Sequence, residues 1–200
     1  AGLCASDAEP LDVSLPYVEL TNERRRLLDV VALAGARGTA APTLLPVLDS
    51  DRAALQAGLE VPGGDIAVLQ PGATDPRRRW SHQRFAALGD ALAAAGASVV
   101  VQGGPDERAL TAAVVQAMRR PALDAGGRLS LSGLVALLAQ ARLVVSNDTG
   151  PLHLADAVGT PTVGIYWHTN ALVSAPTSSP RHRYAVSHRL HCPVCGAENV

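Results

Sequence analysis

Lysine is missing from this chain of 200 residues: all 17 basic residues are arginine. Schiff-base chemistry is thereby excluded, and any long cation that meets a phosphate must be a guanidinium. Aromatic residues make up only 3%, so the core must be built mainly from Ala, Leu and Val. Cysteine occurs three times, at Cys4, Cys192 and Cys195. That is too few for a disulfide scaffold, and an odd number fits a reducing compartment, with the cytoplasm as the default location. No apolar run reaches the roughly 18 residues of a membrane span, and no charged segment opens a signal peptide at Ala1. Charge of one sign is not in excess either. The net charge of −1 excludes a strong nucleic-acid field. The chain starts without Met, in mid-composition, and is expected to be a piece of something longer.

What is present is a globular pattern: 48% hydrophobic and 18% charged residues, too apolar for a disordered segment. Residues 1–20 carry no period. Thr21 and Asn22 are expected to cap a helix ending near Gly35. Thr43–Leu48, broken by Pro46, is at best an edge strand. Asp49-Ser50-Asp51 then caps a short helix to Leu59, and Pro62-Gly63-Gly64 is the expected domain boundary. Residues 1–60 thus read as a tail and linker, and residues 61–200 as a domain.

Beyond the boundary, short apolar strands (Ile66–Leu69, Ser98–Val101, Leu143–Val145, Thr162–Ile165) alternate with helices (Trp80–Ala95, Glu107–Met118, Leu131–Ala141, Pro151–Val158). This predicts an α/β fold with a doubly wound, Rossmann-like parallel sheet covered on both faces. Its ligands belong at the carboxyl ends of the strands.

Three loops lie there. In Ser146-Asn147-Asp148-Thr149-Gly150-Pro151-Leu152-His153, Pro151 suits a first helical position and Gly150 lets a ligand approach the backbone. The helix start then offers amides to a phosphate, Thr149 adds a hydroxyl, Asp148 suits a sugar hydroxyl, and His153 lies one turn in. Plain helix capping explains the same residues equally well. In Gln70–Trp80, the backbone at Gly72, Ala73 and Thr74 can approach a diphosphate that one of three arginines grips bidentately. A solvated basic turn is the weaker reading. In Gln102–Glu107, Asp106 and Glu107 beside Gly103 suit a ribose or sugar diol, although simple complementation of the helix dipole is favoured.

Two further signals are discounted. Asp49-Ser50-Asp51 has the D-x-D shape of metal-dependent sugar-nucleotide enzymes, but capping explains it. Cys192-Pro193-Val194-Cys195, with His188 and His191 upstream, matches no standard zinc spacing. Unliganded thiols are favoured, with a metal or a disulfide left open, and no metal site is assigned. His168, His182 and His188 are read as solvent-facing.

Together, LQPGATDPRRRWSHQRFAALGDAL, VVVQGGPDERAL, LSLSGLVALLAQARLVVSNDTGPLHLADAVGTPTVGIYW and the later CPVC resemble glycosyltransferase family 9, the ADP-heptose:lipopolysaccharide heptosyltransferases, over about residues 60–195. The resemblance implies one half of a two-domain GT-B enzyme, the half that binds the nucleotide-diphosphate sugar. The acceptor half and its catalytic carboxylate would lie outside this chain. It implies an ADP-heptose-like donor, a glycan or lipid-linked acceptor with peripheral membrane contact allowed, no cofactor, and metal-independent inverting transfer. Asp148, Thr149, Gly150 and His153 match the donor motif. Glu107, less closely Asp106, matches its acidic position, and Arg78 stands where the family usually has Lys. The chain departs around His168 and ends soon after Cys195. A nicotinamide oxidoreductase would need G-x-G-x-x-G after the first strand, which Gln70–Asp75 lacks. A sugar-nucleotide epimerase and a non-catalytic nucleotide-sugar-binding fragment stay open.

Overall fold

The computed structural model describes residues 2–4, 12–38, 44–176 and 181–188. In chain order the elements are β1 (Gly2–Cys4), β2 (Ser14–Pro16), α1 (Glu23–Leu33), α2 (Asp49–Gly58), β3 (Ile66–Gln70), α3 (His82–Ala94), β4 (Ser98–Val101), α4 (Arg108–Ala117), β5 (Leu123–Asp124), α5 (Leu131–Gln140), β6 (Leu143–Asn147), α6 (Gly150–Ala157), β7 (Thr162–Trp167), α7 (His168–Ser174) and β8 (His182–Ser187). Single 3₁₀ turns occupy Pro76–Arg78 and Pro105–Glu107.

Six strands form one parallel sheet in the order β5-β4-β3-β6-β7-β8, and β1 and β2 pair separately. The chain leaves β3 toward β4 and β5, then returns to β3's other side with β6. The switch point therefore lies between the ends of β3 and β6, where open α/β sheets bind ligands.

All of β3 is buried, as expected for a strand covered on both faces. Its side chains alternate between two cores. Val68, Val100 and Val144 point toward Leu134, Leu137 and Leu138 of α5. Leu69, Val99, Val101 and Val145 meet Phe85, Ala86 and Val114 of α3 and α4 on the other face. The Ala- and Val-rich strands let helices lie close, which explains how so few aromatics suffice.

Several expectations need correction. Leu44–Leu48 forms no strand; Pro46 cannot donate to a ladder, and Leu45 N donates instead to Ala157 O at 2.7 Å. Asn22 sits at the start of α1, but its amide donates to Ala175 O rather than capping. The capping reading of Asp51 holds: its carboxylate accepts from Leu48 N at 2.9 Å. The turn at Pro62-Gly63-Gly64 divides elements but not cores, because Leu55 and Leu59 bury into the cluster of Val68 and Leu137. β5, β8 and α7 were not foreseen; β5 has two residues, and β8 alternates too weakly in polarity to show a period.

His182 also departs from expectation. It lies on β8, 5% exposed, hydrogen-bonded to the Thr162 hydroxyl and 3.4 Å from the Tyr166 hydroxyl. Burial holds its pKa below the ordinary value, against the field of Asp156. His188 is exposed as expected. The side chain of His168, and His191, Cys192 and Cys195, lie outside the described residues.

If α2 belongs to the same cooperative unit as the sheet, Leu55→Ala should lower the stability of the whole chain by about 2–5 kcal/mol, the usual cost of such a cavity. Urea unfolding should show one transition, moved to lower denaturant. Two transitions, with that of the sheet unmoved, would place α2 outside the unit.

Candidate functional site

The three loops meet at the switch point. A cavity of about 340 Å³ opens there, lined by Gln70 at the end of β3 and Ala73 and Thr74 after it, by Gln102, Gly104 and Glu107 after β4, and by Thr149, Gly150 and Pro151 at the start of α6. Its remaining wall comes from Leu129, Ser130, Leu131 and Leu134, which the sequence reading did not single out. Leu131 is 73% exposed at the start of α5, a position where no local pattern asks for a large apolar residue.

Asn147, the last residue of β6, joins the loops. It is fully buried. Its amide donates to Pro71 O at 2.8 Å and lies 3.3 Å from Gly72 O, and its carbonyl accepts from Trp80 N at 3.1 Å. The partners fix the amide's orientation, since two carbonyls need a donor and an N–H needs an acceptor.

The candidate residues divide into two groups. Ala73, Thr74, Glu107, Thr149 and Gly150 line the cavity. Gly72 and Gly103 lie beneath it, and Asp106 is exposed outside it. A Cβ on Gly72 would stand 1.8 Å from Glu107 Oε1. That space is thus filled by the Glu107 carboxylate rather than open to a diphosphate. Glu107 also accepts from Gly104 N at 2.9 Å and Gln70 Nε2 at 3.2 Å. The side-chain Oε1 atoms of Gln70 and Gln102 are buried and have no hydrogen-bond partner among the described residues. A Cβ on Gly150, by contrast, would meet nothing within 4 Å. The start of α6 is open, has no side-chain cap, and carries Pro151 in its first turn, which leaves amide dipoles facing the cavity. The Thr149 hydroxyl donates to Asn147 O at 3.3 Å and lies 3.2 Å from the Ser146 hydroxyl.

Arg78, Asp148 and His153 form the second group, beside the mouth of α6. Asp148 is 8% exposed, and both its oxygens are engaged within the protein. Asn170 donates to it at 2.8 Å, and Ser174 lies 3.1 Å from either oxygen. His153 Nε2 is 3.4 Å away and Arg78 Nη1 3.8 Å away. Asp148 is therefore held by four side chains, with Arg78 as its cationic partner. Burial alone would raise its pKa, but hydrogen bonds from His153, Asn170 and Ser174 outweigh burial and hold the carboxyl below its ordinary value. Asn170 and Ser174 come from α7, whose existence the sequence did not disclose.

The three consecutive arginines diverge. Arg77 grips Asp75 at 2.8 Å, and that hydrogen bond is the main reason the Asp75 carboxyl falls to about 2. Arg79 donates through Nε to Ala73 O at 2.9 Å. Arg78 alone reaches Asp148.

A family model described as glycosyltransferase family 9 (heptosyltransferase) matches residues 23–197. The chain belongs to glycosyltransferase family 9. One family 9 relative, lipopolysaccharide heptosyltransferase 3 of Escherichia coli, is 32% identical over 120 residues, 58% of this chain and 35% of that protein. Among solved structures, the family 9 glycosyltransferase of Veillonella parvula superposes with a TM-score of 0.74 at 23% identity, covering 84% of this chain and 49% of the other. ADP-heptose lps heptosyltransferase II of E. coli superposes at 0.63 with 25% identity, covering 71% and 44%. The chain spans about a third of the curated relative and just under half of the solved ones.

Two outcomes follow for the site. Asn147→Ala should cost about 2–3 kcal/mol, because it strands buried carbonyls and an N–H, and urea unfolding would measure it. Asp148 carries a pH signature. Its folded pKa lies below its unfolded one, so its contribution is full above the ordinary value of about 3.9 and is lost as pH falls through the folded value. Asp148→Asn should accordingly narrow the stability difference between pH 7 and pH 3 in paired urea melts. An unchanged difference would show that Asp148 is not held ionised by its partners.

Proposed function

We propose that this chain is the donor-binding half of a GT-B glycosyltransferase that moves a heptose-like sugar from an ADP-heptose-like nucleotide onto a glycan or lipid-linked acceptor, in lipopolysaccharide or related cell-surface synthesis. The observation that carries this reading is the open start of α6 at the switch-point cavity, with Arg78 anchored beside it by Asp148. In this reading residues 61–200 form the donor domain, with α2 packed onto it. The chain before α2 is the tail of the acceptor half.

The nucleoside takes the cavity between Leu129, Leu131 and Leu134, an apolar wall suited to a base, and the Glu107 carboxylate, an acceptor suited to ribose hydroxyls. The diphosphate meets the amides at Thr149 and Gly150 and those at Ala73 and Thr74. Arg78 lies on the far side of the α6 mouth, with Asp148 holding its guanidinium in place. As the glycosidic bond breaks, charge grows on the leaving diphosphate, and preformed donors at α6 and Arg78 stabilise it without a metal. Transfer is inverting. A carboxylate of the acceptor half deprotonates the attacking hydroxyl, and closure of the two halves keeps water from the donor. That an E. coli relative is named for ADP-heptose supports the choice of donor. No helix among the described residues is long and apolar enough to cross a membrane. The odd cysteine count supports work in the cytoplasm, with any membrane contact peripheral.

Calorimetric titration with ADP-, UDP- and GDP-sugars tests the reading, with ADP-sugars expected to bind most tightly. Arg78→Ala should weaken nucleotide-diphosphate sugars about ten- to a hundredfold, the worth of one charge-assisted contact, and leave nucleoside binding nearly unchanged. Arg77→Ala should have little effect, because Arg77 is committed to Asp75. Equal losses for Arg77→Ala and Arg78→Ala would overturn the assignment of Arg78. No binding of any nucleotide sugar would overturn the donor site.

A further inference from the structure

Two glutamines line the switch-point cavity where the parallel neighbours β3 and β4 end. Gln70 is the last residue of β3, and Gln102 follows β4, its backbone N–H donating to Leu69 O at 2.9 Å. They are only 3% and 5% exposed. Gln70 is committed, because its Nε2 donates to Glu107 Oε2 at 3.2 Å. Gln102 is not. Its side chain makes no hydrogen bond to any described residue, and its Oε1 is buried. We propose that Gln102 is a specificity-determining residue of the donor site: its amide pairs with one hydroxyl of the nucleotide's ribose, while the Glu107 carboxylate takes the other.

This role rests on the donor reading above and adds to it a residue that selects ribonucleotides. Three observations support it. First, a buried primary amide without a partner is costly, and nearly all buried polar groups in folded proteins are paired. The described residues supply no partner for Gln102, so a group entering the cavity is left to do so. Second, the two side chains on this wall suit a diol. Glu107 Oε2 already accepts from Gly104 N and Gln70 Nε2, which hold the carboxylate in place, and the carboxylate can only accept. The Gln102 amide can both donate and accept. Adjacent hydroxyls meet both needs, whereas a phosphate brings no proton for Glu107 and is repelled by its charge. Third, the other walls are suited to other parts of a nucleotide. Leu129, Leu131 and Leu134 are apolar, and Thr149 and Gly150 lie at the open start of α6. The ribose joins base to phosphate, and Gln102 and Glu107 are the side chains left to meet it.

The pairing needs no rearrangement of the backbone. With no protein partner to fix it, the Gln102 amide can turn about its last side-chain bond and offer either end to a hydroxyl. A nucleotide lacking that hydroxyl would leave the amide buried and unpaired, the kind of penalty by which a hydrogen-bonding site rejects an analogue.

The test titrates ADP, 2′-deoxy-ADP and 3′-deoxy-ADP into the full chain by calorimetry, and repeats the titrations with Gln102→Leu. The unaltered chain should bind each deoxy analogue about five- to tenfold more weakly than ADP, the worth of one hydrogen bond. Gln102→Leu should weaken ADP by a similar factor and abolish one of the two deoxy penalties while the other, owed to Glu107, persists. The urea midpoint of the nucleotide-free chain should hold or rise, because an unpaired buried amide has been removed. Gln102→Met, unbranched and of similar length, should repeat the result. Both penalties persisting in the variants would overturn the proposal, since the amide would then meet the base or only a water. A midpoint that falls while ADP and both analogues weaken equally would show a structural role and overturn it too. ADP bound with no deoxy penalty in the unaltered chain would overturn the proposal alone. A chain that binds none of the three nucleotides would overturn the donor reading and this role with it.

Discussion

Everything proposed for this chain depends on one buried amide. β3 and β6 are neighbours in the sheet, but their following loops run to different helices and have no inherent reason to converge. Asn147 makes them converge by donating to the backbone at Pro71 and Gly72 and accepting from Trp80. A single side chain thus fixes both ends of the arginine-bearing loop relative to the start of α6. Backbone groups buried at a switch point must be paired somewhere. Here the pairing is made by a side chain, which leaves the amides at the start of α6 unspent. Had Pro71 and Gly72 been satisfied by the α6 amides instead, the loops would be joined but the proposed anion site would be closed.

Asp148 adds the electrostatic counterpart. A carboxylate at the mouth of an anion site repels the anion unless its charge is used elsewhere. Asn170 and Ser174 donate to it, Arg78 supplies positive charge, and His153 stands 3.4 Å away. The carboxylate then serves as ballast. It immobilises the Arg78 side chain, which lowers the entropy that side chain would lose in the proposed diphosphate complex. Arg suits this arrangement in a chain without lysine, because one planar group can face Asp148 with one edge and a phosphate with another.

The fold was legible in the sequence where burial is two-sided. Val68, Val100 and Val144 sit in continuous apolar runs, which only a covered parallel strand explains. The three loops were legible because Gly, Pro and Arg clusters follow those runs. What escaped was whatever depends on contacts distant in sequence. Asn147 is one of four asparagines until Trp80 is placed beside it. α7 reads as a polar stretch until Asn170 and Ser174 are seen to face Asp148. His182 looks like a tail residue until Thr162 and Tyr166 enclose it. The contacts of Gly72, Thr149 and Asp148 escaped for a related reason. A residue suited to a ligand is equally suited to its neighbours, and Glu107, Asn147 and Ser174 reached them first.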